Sequence, residues 1–400
     1  MTTPKLRFKE FDRGWLLTSL NLLSTKIGDG IHATPIYDEN GNIPFINGNN
    51  LINGRVVISE NTKRISVMEF QKYNQILSER TLFLSINGTI GNLAFYNNEK
   101  ILLGKSVCFI NLKQEVDKNF IYSLLESPQL TKTFNSELTG STIKNLSLAT
   151  IRNSKFYCPV RNEQTKIASF LSAVDEKINQ LTKKHELLSQ YKQGMMQKLF
   201  SQQIRFKADD GSEFGEWERT TLGDLAEIIG GGTPSTTNEQ YWNGNVVWLT
   251  PSEINKKFIR SSKRTISELG VQKSSAKKLP KGSILFTSRA TIGEVSIAFE
   301  EVTTNQGFQS FVVNSNTFNE FLYYWIIENK KKFLERASGS TFLEISKSKI
   351  QPMEILLPCL EEQTKIANFL SVIDQKIEVV VQQIEEAKRW KKGLLQQMFV

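Results

Sequence analysis

Glu163-Gln164-Thr165-Lys166-Ile167-Ala168 recurs 199 positions later as Glu362-Gln363-Thr364-Lys365-Ile366-Ala367. The match runs on through Phe170-Leu171-Ser172 and Phe369-Leu370-Ser371, Asp175 and Asp374, Lys177-Ile178 and Lys376-Ile377. It closes with Lys192, Gly194, Gln197 and Phe200 against Lys391, Gly393, Gln396 and Phe399. The same offset sets Gly140-Ser141-Thr142 on Gly339-Ser340-Thr341, Ile151 on Ile350 and Pro159 on Pro358. Further upstream the offset drifts but the order holds: Thr89-Ile90-Gly91 with Thr291-Ile292-Gly293, Trp15 with Trp217, Arg7-Phe8-Lys9 with Arg205-Phe206-Lys207. Ordered matches across both halves identify a tandem duplication. Each half holds a divergent globular stretch of about 160 residues and a closely repeated segment of about 40.

The repeated segments carry a heptad seam. Ile167, Leu171, Val174, Ile178, Leu181, His185, Leu188, Lys192, Met195 and Leu199 alternate spacings of four and three. The second copy gives Ile366, Leu370, Ile373, Ile377, Val380, Ile384, Ala387, Lys391, Leu394 and Met398, again with no proline inside. Each segment is expected to be a helix roughly 50–60 Å long. A lone helix of this kind would leave its apolar stripe in water, at a cost of about 1.5–3 kcal/mol per side chain. Its natural partner is the other copy, in an antiparallel pair with a globular domain at either end. The alternative is that each helix packs on its own globular domain. Lys192 and Lys391 interrupt the seam at one repeated slot, flanked by Tyr191 and Trp390. Gly194 and Gly393 each weaken a helix by about 1 kcal/mol relative to Ala. They are expected to mark a close crossing or a loosened turn.

The 400 residues suit two or three domains. Hydrophobic residues at 39% and charged residues at 23% exclude collagen-like, mucin-like and wholly disordered chains. Fifty Lys plus Arg against 41 Asp plus Glu give a net charge of +9, which favours a polyanionic partner. Cys108, Cys158 and Cys359 are odd in number and scattered, which points to a reducing cytoplasm rather than a disulfide framework. No signal-peptide core and no run of 18 apolar residues occurs, so no membrane partner is expected.

Catalytic signatures are missing. His32 and His185 are the only histidines, and with three scattered cysteines they give no zinc spacing. No two prolines adjoin, which excludes the Asn-Pro-Pro-aromatic and Asp-Pro-Pro-aromatic sites of amino-methyltransferases. Gly104-Lys105-Ser106 resembles the end of a P-loop, but Glu99 stands where its first glycine is required. Gly28-Asp29-Gly30 and Gly230-Gly231-Gly232 are followed by polar residues and Thr-Pro, as in tight turns rather than dinucleotide sites. Glu328-Asn329-Lys330 has a Glu-x-Lys form without an Asp partner. Catalysis by this chain is not expected.

Residues 1–160 and 202–360 have a mixed α/β pattern. Leu82-Phe83-Leu84, Val107-Cys108-Phe109-Ile110, Ser283-Ile284-Leu285-Phe286 and Phe311-Val312-Val313 suggest strands, and Asn119–Leu130 and Asn319–Arg336 suggest helices. The polar turns between them carry groups suited to DNA. In the first half these are His32, Thr34, Asn47, Asn49, Asn50, Arg55, Ser85, Asn87 and Ser141. In the second they are Thr233, Ser235, Thr250, Ser252, Ser288, Arg289, Thr291, Gln306, Gln309 and Ser340. Amides and guanidinium groups can form paired hydrogen bonds to base edges. The run from Asn255 to Arg264 holds Lys256, Lys257, Arg260, Lys263 and Arg264 with no acid, which suits phosphate contacts. For any single residue, an ordinary turn or a solvated loop is the competing explanation.

The two halves resemble the specificity subunit of type I restriction-modification systems. The resemblance rests on Glu-Gln-Thr-Lys-Ile-Ala-x-Phe-Leu-Ser before each heptad helix and Lys-x-Gly in its last turns. It rests also on Gly230-Gly-Gly-Thr-Pro-Ser235, Trp248-Leu-Thr-Pro-Ser252, Ser288-Arg-Ala-Thr-Ile-Gly293 and Asn305-Gln-Gly-Phe308. The first half departs most, with Ser85-Ile-Asn-Gly-Thr-Ile-Gly91 replacing the Ser-Arg form. The resemblance implies target recognition domains at residues 1–160 and 202–360 and spacer helices at 161–201 and 361–400. Each domain would read one half of an interrupted double-stranded DNA site. The helices, with Tyr191, Lys192, Trp390 and Lys391, would dock two methyltransferase subunits. Two restriction-translocase subunits would join for cleavage, and S-adenosylmethionine, ATP and magnesium would belong to those partners. The competing function is a coiled-coil adaptor without DNA specificity.

Overall fold

The computed structural model describes residues 2–73, 75–140, 144–339 and 343–400. It divides into two units, Met1–Lys183 with Val381–Val400, and Lys184–Val380. The repeated segments are continuous helices, Arg161–Phe200 and Leu360–Met398. Both run unbroken through Gly194 and Gly393, and a Cβ at either glycine would meet nothing within 4 Å. Neither glycine marks a close crossing or a loosened turn, so that expectation fails.

The first unit holds the N-terminal part of the central helix together with the C-terminal part of the other. Ile167, Leu171 and Val174 of one helix and Leu394, Leu395, Met398 and Phe399 of the other share a buried cluster with Trp15, Phe120 and Ile151. The second unit repeats this. Met196 and Leu199 of the central helix and Ile366, Leu370 and Ile373 of the C-terminal helix join Trp217, Phe321 and Ile350. The seam thus satisfies both readings of its stripe, since it pairs with the other copy and completes a globular core.

The Glu-Gln pair that opens each repeat bolts the helix to its unit. The Glu163 side chain is 1% exposed and accepts from Arg7 Nε at 2.7 Å, Arg7 Nη2 at 2.8 Å and Trp15 Nε1 at 3.1 Å. The Glu362 side chain is 0% exposed and accepts from Arg205 Nε at 3.0 Å, Arg205 Nη2 at 2.8 Å and Trp217 Nε1 at 3.0 Å. A carboxylate gripped by a bidentate arginine recovers much of its desolvation cost. The adjacent Gln164 accepts from Asp117 N and donates to Pro159 O; Gln363 accepts from Phe318 N and donates to Pro358 O.

A second repeated joint uses the interrupted slot of the seam. Lys391 donates to Glu126 at 2.6 Å and pairs with Asp175 at 2.7 Å. Burial acts to lower the Lys391 ammonium, but Glu126 and Asp175 override it and hold its pKa above the ordinary value. In the second unit Lys192 pairs with Asp374 at 2.5 Å, and Asp374 also accepts from the Tyr324 hydroxyl. Burial, then the Asp374 hydrogen bond, pushes that hydroxyl up, so it stays a neutral donor.

The first unit is built on an antiparallel sheet ordered Ser24–Asp29, Val107–Leu112, Thr81–Ser85, Leu93–Phe95. The second has the order Ala226–Gly230, Gln309–Val313, Ile284–Phe286, Val295–Ala298, with Phe258–Ile259 added parallel at the edge. A three-stranded sheet flanks each: Arg64–Ile65, Ile43–Ile46, Leu102–Leu103, and Arg264–Ile266, Trp242–Leu249, Thr303–Thr304. Three of the four strand suggestions from sequence fall inside strands, and the fourth forms Ile284–Phe286 with Ser283 just before it. The helix expected over Asn119–Leu130 is two helices, Lys118–Leu125 and Pro128–Ser136. Pro128 has no N–H to continue the first, and Ser127 caps the second by accepting from Leu130 N. Asn319–Arg336 likewise breaks at Asn329, between Asn319–Glu328 and Lys330–Arg336.

Candidate nucleic-acid interface

Four loops meet beside the sheet of each unit, tied by equivalent backbone hydrogen bonds. In the first unit Ile31 N donates to Leu103 O, Gly104 N to Ile46 O, Ile86 N to Ser106 O, and Leu146 N to Ile86 O. In the second, Gly232 N donates to Thr304 O, Asn305 N to Leu249 O, Ser288 N to Gly307 O, and Ile345 N to Ser288 O. Close approach requires glycine at two crossings. A Cβ on Gly30 would stand 2.2 Å from Leu103 O, and one on Gly231 2.0 Å from Asn305 O.

The hairpin tips share one construction. Ser85 Oγ donates to Thr89 O and accepts from Asn92 N, while Gly91 N donates to Ser85 O. Thr287 Oγ1 donates to Thr291 O and accepts from Glu294 N, while Gly293 N donates to Thr287 O. Gly91 and Gly293 take φ of 94° and 88°, the left-handed region that favours glycine. Each tip bridges a second strand segment, Asn87 to Asn145 and Arg289 to Glu344.

This frame sorts the residues singled out from sequence. Asn47 and Asn50 form a reciprocal cap, as do Thr250 and Glu253, so buried Asn50 shapes its turn while Asn49 and Ser252 are exposed at its tip. Asn47 Oδ1 also accepts from Ser106 Oγ. Thr34, Arg55, Thr233, Ser235, Arg289, Thr291 and Gln306 are exposed, and Asn87, Thr250 and Gln309 are half-buried. His32 is 73% exposed and its Nε2 lies 2.7 Å from Asp29. Thr233 Oγ1 donates to Gln306 Oε1. Ser85 and Ser288 are buried beneath the tips, Ser288 with no partner for its hydroxyl among the described residues. Ser141 and Ser340 lie outside the described residues.

The basic run divides into two parts. Lys256, Arg260, Lys263 and Arg264 are exposed. The Arg260 guanidinium lies 3.5 Å from the Phe299 ring centroid and that of Arg264 3.7 Å from Trp242, stacking that presents each cation in a fixed plane. The Lys257 side chain is 13% exposed and donates inward to Glu320, Tyr324 and Ser371. Lys256→Ala is therefore expected to lower the log–log salt slope of DNA binding by about one unit. Lys257→Met is expected to leave the slope unchanged and cost about 1–3 kcal/mol of stability through its orphaned partners. Salt titrations and thermal unfolding of the two variants check this.

Lys192 and Lys391 are engaged within the units, as described above, whereas Tyr191 and Trp390 are 51% and 55% exposed. Sequence reasoning passed over Glu344, the partner of Arg289, although the repeat offset already set it opposite Asn145. The Glu253 carboxylate holds Thr250 and Lys263 N. Among the described residues no group of three or more His, Cys, Asp or Glu is placed to hold a metal ion. Among them, too, no helix is long and apolar enough to cross a membrane.

Comparison with known proteins bears on the family and the fold. A family model described as the type I restriction modification DNA specificity domain matches twice, over residues 28–189 and 215–389. The chain is 26% identical over 411 residues to the putative type I restriction enzyme MjaX specificity subunit of Methanocaldococcus jannaschii, covering 98% of this chain and 94% of that one. It is 38% identical over 207 residues to the MjaIX specificity subunit of the same organism, an alignment spanning 50% of this chain and 48% of that one. The crystal structure of the S subunit of a type I restriction-modification system from M. genitalium superposes with a TM-score of 0.61. That match has 18% identity and covers 100% of this chain and 99% of the other, a likeness of fold.

Proposed function

The chain belongs to the type I restriction modification DNA specificity family, and we propose that it is the DNA-reading subunit of a restriction and modification complex. Residues 1–160 and 202–360 each read one half of a bipartite double-stranded site. Residues 161–201 and 361–400 space the readers and dock two methyltransferase subunits, with two restriction-translocase subunits joining for cleavage. The chain performs no chemistry itself; S-adenosylmethionine, ATP and magnesium act in the partners.

One observation carries this reading. The two loop sets are tied by the same hydrogen bonds, yet they expose different side chains: His32, Asn49 and Arg55 in one, Ser252, Arg289 and Gln306 in the other. A shared frame with different exposed donors and acceptors is what reading two different half-sites requires. The cations at Lys256, Arg260, Lys263 and Arg264 supply phosphate contacts around the second set. Tyr191 and Trp390, exposed at one repeated position, are the docking anchors, since aromatic side chains are enriched where partners bury.

The test uses the purified chain with its methyltransferase subunits and a pool of random duplexes. Selection of a two-part motif, with affinity falling steeply as salt rises, is expected. Equal, salt-independent retention of all duplexes would leave only the adaptor function.

A further inference from the structure

On the reading just given, we infer that Arg289, braced by Glu344, fixes a guanine in the half-site read by the second unit. The strap between each tip and its neighbouring segment is the same in both units, and what changes is the pair it carries. In the first unit the pair is Asn87 and Asn145, in the second Arg289 and Glu344. Arg289 Nε and Glu344 Oε1 form an ion pair at 2.8 Å. Among the described residues Arg289 makes no other side-chain hydrogen bond or ion pair. The brace therefore sits on the Nε side of the guanidinium and leaves the two Nη groups for another partner.

That arrangement suits a base rather than a phosphate. An arginine free to swing satisfies any nearby phosphate, whereas one held at Nε presents its Nη donors in one plane. Paired donors in a plane match O6 and N7 of guanine, the acceptors on its major-groove edge. Both side chains are part-exposed, at 46% and 36%, so the pair is reachable from outside. Buried Ser288 anchors the turn by donating from its backbone to Gly307 O and accepting from Ile345 N. The strap thus limits where the fork can point. Glu344 is a positioning residue; its carboxylate is paired with the guanidinium.

The experiment measures binding of the chain with its methyltransferase subunits to the selected duplex and to every single-base variant of both half-sites. The wild-type chain should require guanine at one position of one half-site, by roughly ten- to a hundredfold over other bases. Arg289→Gln should abolish that preference alone, leaving the other half-site and the salt slope intact. Glu344→Gln, a conservative change, should weaken discrimination at the same position several-fold. The double variant R289N/E344N should move the preference towards adenine, which an asparagine amide pairs at N6 and N7. A uniform loss with Arg289→Gln over all sequences, with the salt slope reduced by about one, would make it a phosphate contact and overturn the inference. So would a half-site in which these variants change no position. Absence of any sequence preference in the wild-type chain would instead overturn the specificity function on which the inference rests.

Discussion

Glu362→Ala is expected to destabilise the second unit by about 3 kcal/mol. The change leaves two donors behind. Trp217 Nε1 loses its acceptor inside the protein, and Arg205 loses a bidentate partner at a site where its side chain is 21% exposed. The carboxylate also holds the Arg205 pKa above its ordinary value, chiefly through that hydrogen bond, so the cation is bound as a cation and gains nothing by deprotonating. Partial exposure lets Arg205 recover some hydration, which sets the figure at the lower end for a broken buried pair. Glu362→Gln, which keeps the volume and one acceptor, should cost about half as much. Glu163→Ala should act equally on the first unit, because Arg7 and Trp15 meet it in the same way. Hydrogen exchange resolved by unit measures each effect separately. A loss below about 0.5 kcal/mol would mean that water replaces the carboxylate and that the repeated Glu is no bolt.

The second large effect is expected from Gly231→Ala. Its Cβ would sit 2.0 Å from Asn305 O and 2.4 Å from Thr304 O, both rigid backbone atoms. The crossing must open, and with it the hydrogen bond from Gly232 N to Thr304 O that ties the first loop to the last. Thr233 and Gln306 lie on either side of this crossing and lose their registration. Recognition of one half-site should fall at least tenfold, while the first unit keeps its fold and its specificity. Gly30→Ala should do the reverse, since its Cβ would meet Leu103 O at 2.2 Å. Competition with duplexes altered in one half-site at a time separates the two. Equal loss at both half-sites from either variant would show that the loop sets do not read independently.

The duplication, the two long helices and their seam were legible in sequence because repeated residues and heptad spacing are local, periodic signals. What the seam buries was only half legible. Phe399 and Phe200 were visible as matched ends, but that Phe399 closes on Trp15 and Phe120 is a contact across nearly the whole chain, with no periodicity to reveal it. Composition marked the polar loops, yet it could not separate exposed residues from those that shape the turn. Asn49 and Asn50 are identical in sequence and opposite in role, because a reciprocal cap turns one inward. Lys256 and Lys257 divide in the same way, the second drawn inward by Glu320. The repeat offset sets Glu344 on Asn145, but its pairing with Arg289, 55 residues away, leaves no mark on local composition.

In the function proposed, this chain directs modification to a two-part DNA site. The most direct measurement is base-resolution methylation mapping in a methylation-free bacterial host expressing the cognate methyltransferase subunit with or without this chain. A new bipartite methylated motif is expected, and only when both are present. Soluble, copurifying subunits that leave the DNA without any new methylated motif would contradict it.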